Sequence, residues 1–398
     1  MPNIEKREKK VASKKVNKFI FVLIVIGGIF GSGYYFGQAG IGAKTKPDDV
    51  DLTVFWEAWN TLKEKSVQDT DNKKMVEGAI SGMMSSINDP YTTYFTKKEN
   101  ERFREDIGGE FSGIGIEIVL KNGFPTVVAP LSDTPAEKAG LKPNDVILEV
   151  DGAKTDEIGF DETINRIRGA EGTKVKLKIA RASEEQPIEV EVTRQKIVVK
   201  SVTWDTKQTE GKKIMVIKIR QFGDDTDALF ADAAKEAVKN KPDGIVLDLR
   251  NDPGGYLETA INLASYFIPE GTIVSEKGKN NTSKDYASNK NGKLKDFKVV
   301  VLTNGGSASA SEILAGALQD RKDAQIIGEK TFGKGSVQEL IDLKDGSAVK
   351  VTIAKWFTPN GRQINGQGLE PTIKIEKDEK ATDDNQLTRA LNYIVTGK

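Results

Sequence analysis

The sequence predicts an α+β multidomain protein with a helical N-terminal module, a β-rich domain and an α/β core. Three observations carry that prediction. At 398 residues the chain exceeds what one compact domain usually holds. Its apolar periodicity changes twice, from three-to-four-residue spacing, to short strand-like runs, to buried strands alternating with helices. Charged residues make up 30% and hydrophobic ones 37%, the balance of a folded soluble protein once an apolar block near the start is set aside.

In chain order, residues 1–18 form a basic tail with Lys6, Arg7, Lys9, Lys10, Lys14, Lys15 and Lys18, followed by an uncharged stretch over 19–43. A helix needs roughly 20 apolar residues to cross a bilayer, and the basic flank stays in the cytoplasm, so 19–43 reads as a single-pass anchor with the remainder extracytoplasmic. Tyr34, Tyr35 and Phe36 fit an interfacial belt. A cleaved signal sequence is the competing reading, because Gln38-Ala39-Gly40 and Gly42-Ala43 place small residues after the apolar region. Residues 48–107 read as a helical module packing on its neighbours: Leu52, Phe55, Trp56 and Trp59, then Met75, Ala79, Ile80 and Met83, follow helical spacing until Asn88-Asp89-Pro90.

Residues 108–196 read as a domain of short strands, at Ile114–Val119, Thr126–Val128, Val146–Val150, Val175–Ile179 and Ile188–Thr193, with a helix over Asp161–Arg168. The stretch TPAEKAGLKPNDVILEVDG, with Gly113-Ile114-Gly115-Ile116 before it, resembles a PDZ domain. That resemblance implies a peptide-binding loop at Gly113, Ile114, Gly115 and Ile116 that receives a chain terminus through backbone N–H groups. Residues 197–376 alternate strands and helices, and 377–398 end in a helical tail over Leu387–Val395.

Composition removes whole reaction classes. With no His and no Cys, a thiol nucleophile, a Ser-His-Asp triad and an imidazole or thiolate zinc site are impossible. Lys plus Arg and Asp plus Glu both total 59, so no net field steers nucleic acid to the surface. No metal, cofactor or nucleic-acid partner is expected.

Within the core, the buried run Lys298–Leu302 leads into Thr303-Asn304-Gly305-Gly306-Ser307-Ala308-Ser309-Ala310-Ser311-Glu312 and then an apolar helix. Small residues around a hydroxyl admit a substrate backbone, and amides at a helix start face incoming negative charge. Ser309 is the candidate nucleophile, with Ser307 and Ser311 as alternatives; Ser309 to Glu312 equally fits a capping box. Without histidine, a lysine must take the proton. Lys334, framed by Gly333 and Gly335, is the candidate, and it needs a largely apolar pocket to be neutral near pH 7. If 334–338 enters a strand, Gln338 shares its face and orients it. Asp252-Pro253-Gly254-Gly255 supplies glycine amides that, with Ala310, fit an oxyanion hole.

GSASASE, TFGKGSVQ, DLRNDPGG and FTPNGRQINGQGLEP together resemble the carboxyl-terminal processing proteases, the tail-specific S41 family. The resemblance implies a crotonase-like, ClpP-like catalytic core behind a PDZ domain. It implies Ser309 as nucleophile, Lys334 as general base, Gln338 as its partner, and Gly254 or Gly255 with Ala310 as oxyanion hole. It also implies protein or peptide substrates with exposed C-termini and a homodimer built through the helical ends. Two other readings remain at this stage: an idle membrane-tethered PDZ scaffold, and an amidase or esterase acting on small envelope substrates.

Overall fold

The computed structural model describes residues 50–397 apart from 132, 379, 380 and 382. The basic tail over 1–18 and the apolar stretch over 19–43 lie outside the described residues. Among those described, no helix is long and apolar enough to cross a membrane. The chain divides into two units, one ending at Met75 and the other beginning at Val76.

In the first unit, helix Thr53–Lys65 gathers Phe55, Trp56 and Trp59 into one aromatic cluster, with ring centroids 5.0–6.2 Å apart. No residue of this helix is buried, and none of helix Asn72–Ser85 is either. The aromatic stripe of the first helix contacts itself. The rest of 48–107 is not wholly helical. After the Pro90 break, Thr93–Phe95 is a short strand paired with Ala348–Phe357 of the core, and Thr96 caps helix Lys97–Gly108 through a complete capping box with Glu99.

The β-rich domain has the expected strands. Ile116–Lys121, Phe124–Pro130, Val146–Val150, Lys174–Ala180 and Ile188–Thr193 form one antiparallel sheet, with Ala153–Lys154 on its margin. Its core is Ile114, Val127, Leu141, Ile147, Val150, Val175, Leu177, Ile179 and Val192. The strand expected over Ile114–Val119 is broken. Glu110–Gly113 pairs instead with Gln195–Val198, and the main sheet resumes at Ile116. Gly115 causes the break: it has φ of 77°, and a Cβ there would fall 2.4 Å from Thr134 Cβ.

The core sheet runs in the order Val202–Thr209, Lys212–Ile219, Gly244–Asp248, Val299–Thr303, Gln325–Gly328, Ile373–Lys374, antiparallel at the first pair and parallel thereafter. Every residue of Gly244–Asp248 and Val299–Thr303 is buried, because both faces are covered. Ile245, Leu247, Val299 and Val301 point toward helices Thr226–Asn240, Leu257–Phe267 and Ala310–Lys322. Val246, Val300 and Leu302 alternate onto the other face, against Ala390 and Ile394 of helix Asn385–Thr396. A second sheet joins Ser336–Asp342, Ala348–Phe357, Thr272–Gly278 and Ser283–Ala287 to the short strand Thr93–Phe95. Two parallel strands of the first sheet end at the nucleophile turn and the glycine motif, and the first strand of the second sheet begins beside the lysine loop.

Candidate active site

Ser307, Ser309 and Ser311 are alike in sequence, and their surroundings separate them. Ser307 is fully buried, and its hydroxyl donates to the Leu249 carbonyl at 2.7 Å. Ser311 is also fully buried and donates to the Asp252 carbonyl at 3.0 Å. Both brace the turn. Ser309, half-buried, stands at the start of helix Ala310–Lys322 with φ 57° and ψ −114°. An L-residue rarely adopts that backbone, and such strain persists where the surrounding structure enforces it, typically at functional positions. A strand, a sharp turn bearing a strained serine, and a helix together make a nucleophile elbow.

The glycine motif packs directly on that elbow. A Cβ on Gly254 would lie 2.8 Å from Ser309 Cβ and 2.9 Å from the Ala310 nitrogen, so only glycine fits. The Gly254 N–H donates to Asp252 Oδ1 at 2.8 Å, so it is already engaged. Of the amides expected in an oxyanion hole, those of Gly255 and Ala310 are left to serve. Gly255, at φ 145°, packs its backbone on Phe222, whose N–H donates to the Gly254 carbonyl at 2.9 Å.

Glu312 ties the elbow to the lysine loop. Its fully buried carboxylate accepts from the backbone N–H groups of Ser309 (2.9 Å), Gly333 (2.8 Å) and Lys334 (2.9 Å), and from the Thr331 hydroxyl (2.6 Å). Burial pushes its pKa up, and those four bonds pull against it. The bond to Ser309 N–H is the backward reach of the capping box. The capping box and the strained turn at the candidate nucleophile are thus the same local structure rather than rivals.

Lys334 is half-buried. Burial holds its pKa below the usual lysine range, and the nearby Glu312 carboxylate opposes that shift. The expected surroundings are corrected in part: the amine is desolvated, but a carboxylate lies within electrostatic reach, so its pocket is not simply apolar. Its Nζ sits over the Tyr91 ring, 5.4 Å from the centroid, and makes no hydrogen bond to Ser309 or Gln338. Asp89 and Thr92 fix the Tyr91 segment: Asp89 accepts from the Tyr91 N–H and the Thr92 hydroxyl, and Thr92 Oγ1 accepts from the Thr352 N–H. Gln338 is not brought onto the amine either. The strand begins only at Ser336, the register slips between Val337 and Gln338, and the Gln338 amide donates to the Ser336 hydroxyl. That bulge defeats the even-spacing argument.

Two further neighbours of Lys334 were missed by sequence reasoning. Tyr91 gave no signal beyond its position after the Asn88-Asp89-Pro90 break. Lys350 lies beside the stacked pair Phe95 and Phe103, 5.0 and 5.2 Å from their ring centroids; burial and the Lys334 charge lower its pKa.

In the β-rich domain, Ile114 belongs to the buried core and Ile116 packs beside it, while Gly113 ends a strand and Gly115 makes the turn. The Ile114 carbonyl accepts from Ala136 N–H at 2.8 Å, and the Gly115 carbonyl from Leu131 N–H at 2.9 Å. This braces the loop onto the TPAEKAGL segment.

The fold and the elbow define a serine-type peptidase carrying a PDZ domain. Comparison with known proteins agrees: a model of peptidase family S41 matches residues 213–375, a PDZ-domain model matches 126–181, and a model of the activating protease CtpB N-terminal domain matches 38–99. A CtpA-like serine protease of Staphylococcus haemolyticus is 38% identical over 385 residues, covering 94% of this chain and 76% of its own. Its counterpart in Staphylococcus aureus is 39% identical over 375 residues, covering 92% and 74%. Among solved structures, the photosystem II D1 C-terminal processing protease superposes with a TM-score of 0.55 at 30% identity, over 84% of this chain and 90% of that one. This chain belongs to peptidase family S41, the PDZ-containing carboxyl-terminal processing proteases, and its substrates are peptides or proteins.

Proposed function

We propose that this chain is an endopeptidase that cleaves protein substrates near exposed C-terminal tails, through an acyl-enzyme on Ser309 with Lys334 as general base. The strained backbone of Ser309, packed on Gly254 and linked through Glu312 to a desolvated lysine, carries this reading. Neutral Lys334 takes the Ser309 proton, Ser309 Oγ attacks the scissile carbonyl, and the Ala310 and Gly255 amides face the developing oxyanion. The amine then returns the proton to the leaving nitrogen, and water repeats the sequence on the ester. For this, the Lys334 amine turns from the Tyr91 ring toward Ser309; catalytic hydrogen bonds commonly tighten only once substrate is bound. The PDZ loop over Gly113–Ile116 holds the substrate tail. Residues 19–43 anchor the chain in the cell membrane with the catalytic part outside the cytoplasm, a topology supported by the basic residues over 1–18. The helical ends make a homodimer.

The test is turnover of an unfolded casein-like substrate by detergent-solubilised full chain, Ser309→Ala and Lys334→Ala. Cleavage by the parent alone is expected. Equal cleavage by all three would remove the serine–lysine assignment, and none by any would favour a PDZ scaffold.

A further inference from the structure

Asp252 is a buried carboxyl that the mechanism above leaves unused, and its surroundings differ from those of its buried counterparts. Asp145 is fully buried but held by Arg181, whose Nε lies 2.8 Å from Oδ1. Glu312 is fully buried but accepts four hydrogen bonds. Asp252 is fully buried with only neutral donors near its carboxyl, the Gly254 N–H on Oδ1 and the adjacent Ser311 hydroxyl; its Oδ2 has no hydrogen-bond partner. The charged groups on the elements packed around it do not reach it. Arg250, at the end of strand Gly244–Asp248, is held by Asp248 and Asp384 at 2.7 Å each. On the nucleophile helix Glu312 is saturated, and Arg321 and Lys322 stand in its last turn. On the Phe222 segment, Asp224 acts on Tyr256 and Asp225 accepts from the Ser201 N–H, and Arg220 makes no bond to Asp252.

The backbone of the same residue is fastened to the nucleophile turn. Its carbonyl accepts from the Ala308 N–H and the Ser311 hydroxyl, each at 3.0 Å, and its N–H donates to the Leu249 carbonyl at 3.3 Å. Asp252 thus holds the Gly254 peptide on one side and the Ser309 elbow on the other. A neutral carboxyl fits this dry position, since one oxygen accepts an amide and no cation is needed. An anion there is a desolvated charge with neutral donors alone, which the protein relieves by admitting water beside the Gly254-Gly255 segment.

We propose that Asp252 is the positioning residue of the oxyanion loop, and that turnover requires its carboxyl neutral because a desolvated carboxylate draws water in between the Gly254 segment and the Ser309 elbow. The proposal rests on the Ser309–Lys334 reading. Burial pushes this carboxyl up to about 8, consistent with a proton retained at neutral pH. A group titrating there is roughly nine-tenths neutral near pH 7 and one-tenth near pH 9, so ionisation removes about tenfold of the activity between them.

Lys334 titrates in the opposite sense, and a ratio cancels it. The full chain and Asp252→Asn are compared by kcat/KM near pH 9 divided by kcat/KM near pH 7. The Asn variant, which cannot ionise, is expected to give a ratio about tenfold above the parent's. Equal ratios overturn the proposal. Should the variant fail to fold, carboxyl-13C aspartate labelling of the parent decides: a resonance titrating near 8 supports the proposal, and titration of every aspartate below about 5 overturns it. If the serine–lysine reading fails, Lys334→Ala remains active while this 13C titration is untouched, so the two failures are distinct.

Discussion

The nucleophile turn and the lysine loop face each other across Glu312 and are built in opposite ways. Around Ser309 the chain is immobilised: Ser307 and Ser311 are fully buried, their hydroxyls bonded to carbonyls of the neighbouring segment, and Gly254 leaves no room for a side chain. The lysine loop is fixed by its backbone and the Thr331 hydroxyl, and its reacting side chain is left free of hydrogen bonds to the elbow. Gly333 and Lys334 bond to Glu312 by their amides, while Phe332 is 59% exposed and the Lys334 amine rests on the Tyr91 ring. One half is preorganised up to its reacting atom, and the other holds its loop in place while the reacting amine rests elsewhere. A nucleophile and oxyanion hole gain from rigidity, because they must match a developing charge. A base that alternates between ammonium and amine gains from a side chain with two resting places.

The strongest way to break this contrast is to remove the two reacting atoms. Ser309→Ala and Lys334→Ala should each lower kcat by about 10⁴-fold or more, with far-UV circular dichroism unchanged. Lys334→Arg should be as inactive as Lys334→Ala, because an arginine does not deprotonate in the working range; activity in that variant would refute the base assignment.

Next in size is the bridge. Glu312→Gln keeps the shape but replaces one acceptor oxygen with a donor, which cannot serve three backbone amides and a hydroxyl. A displacement of about 1 Å between elbow and lysine loop can reduce turnover about 100-fold, so kcat should fall by that order while KM changes little. A loss confined to KM would assign Glu312 to substrate binding instead.

The same contrast explains what the sequence made legible. The order of domains, the parallel core and the elbow follow from period and punctuation, since four consecutive apolar residues before a glycine- and serine-rich turn admit few other structures. Choosing Ser309 over its neighbours needed backbone angles and burial, which three alternating serines do not encode. The position of Gln338 depended on a one-residue register slip, and period-two reasoning cannot foresee a bulge. Glu312 was visible only as half of a capping box, because its other three donors come from a loop about twenty residues away in sequence. Tyr91 reaches the site through long-range strand pairing of a segment that reads as the end of a helical run.

The pH dependence sharpens the lysine side. As the proposed base Lys334 acts as the neutral amine, so the acidic limb of kcat/KM should have its midpoint under the ordinary lysine value, since burial favours loss of the proton. An acidic limb centred at the ordinary lysine value would mean the amine is solvated during turnover.

Tyr91→Leu gives the smallest effect and the finest discrimination. Leucine preserves an apolar cover, so the desolvation that lowers the Lys334 pKa should largely persist. What disappears is the ring face, which favours the ammonium over the amine by about 0.5–1 kcal/mol at a partly exposed site. A full pKa unit corresponds to about 1.4 kcal/mol, so the acidic limb should move down by roughly 0.4–0.7 units. Activity on the acidic limb should therefore rise a few-fold relative to the maximum. A limb that moves up instead would show that Tyr91 acts on Lys334 chiefly by excluding water, in which case the lysine loop has one resting place rather than two.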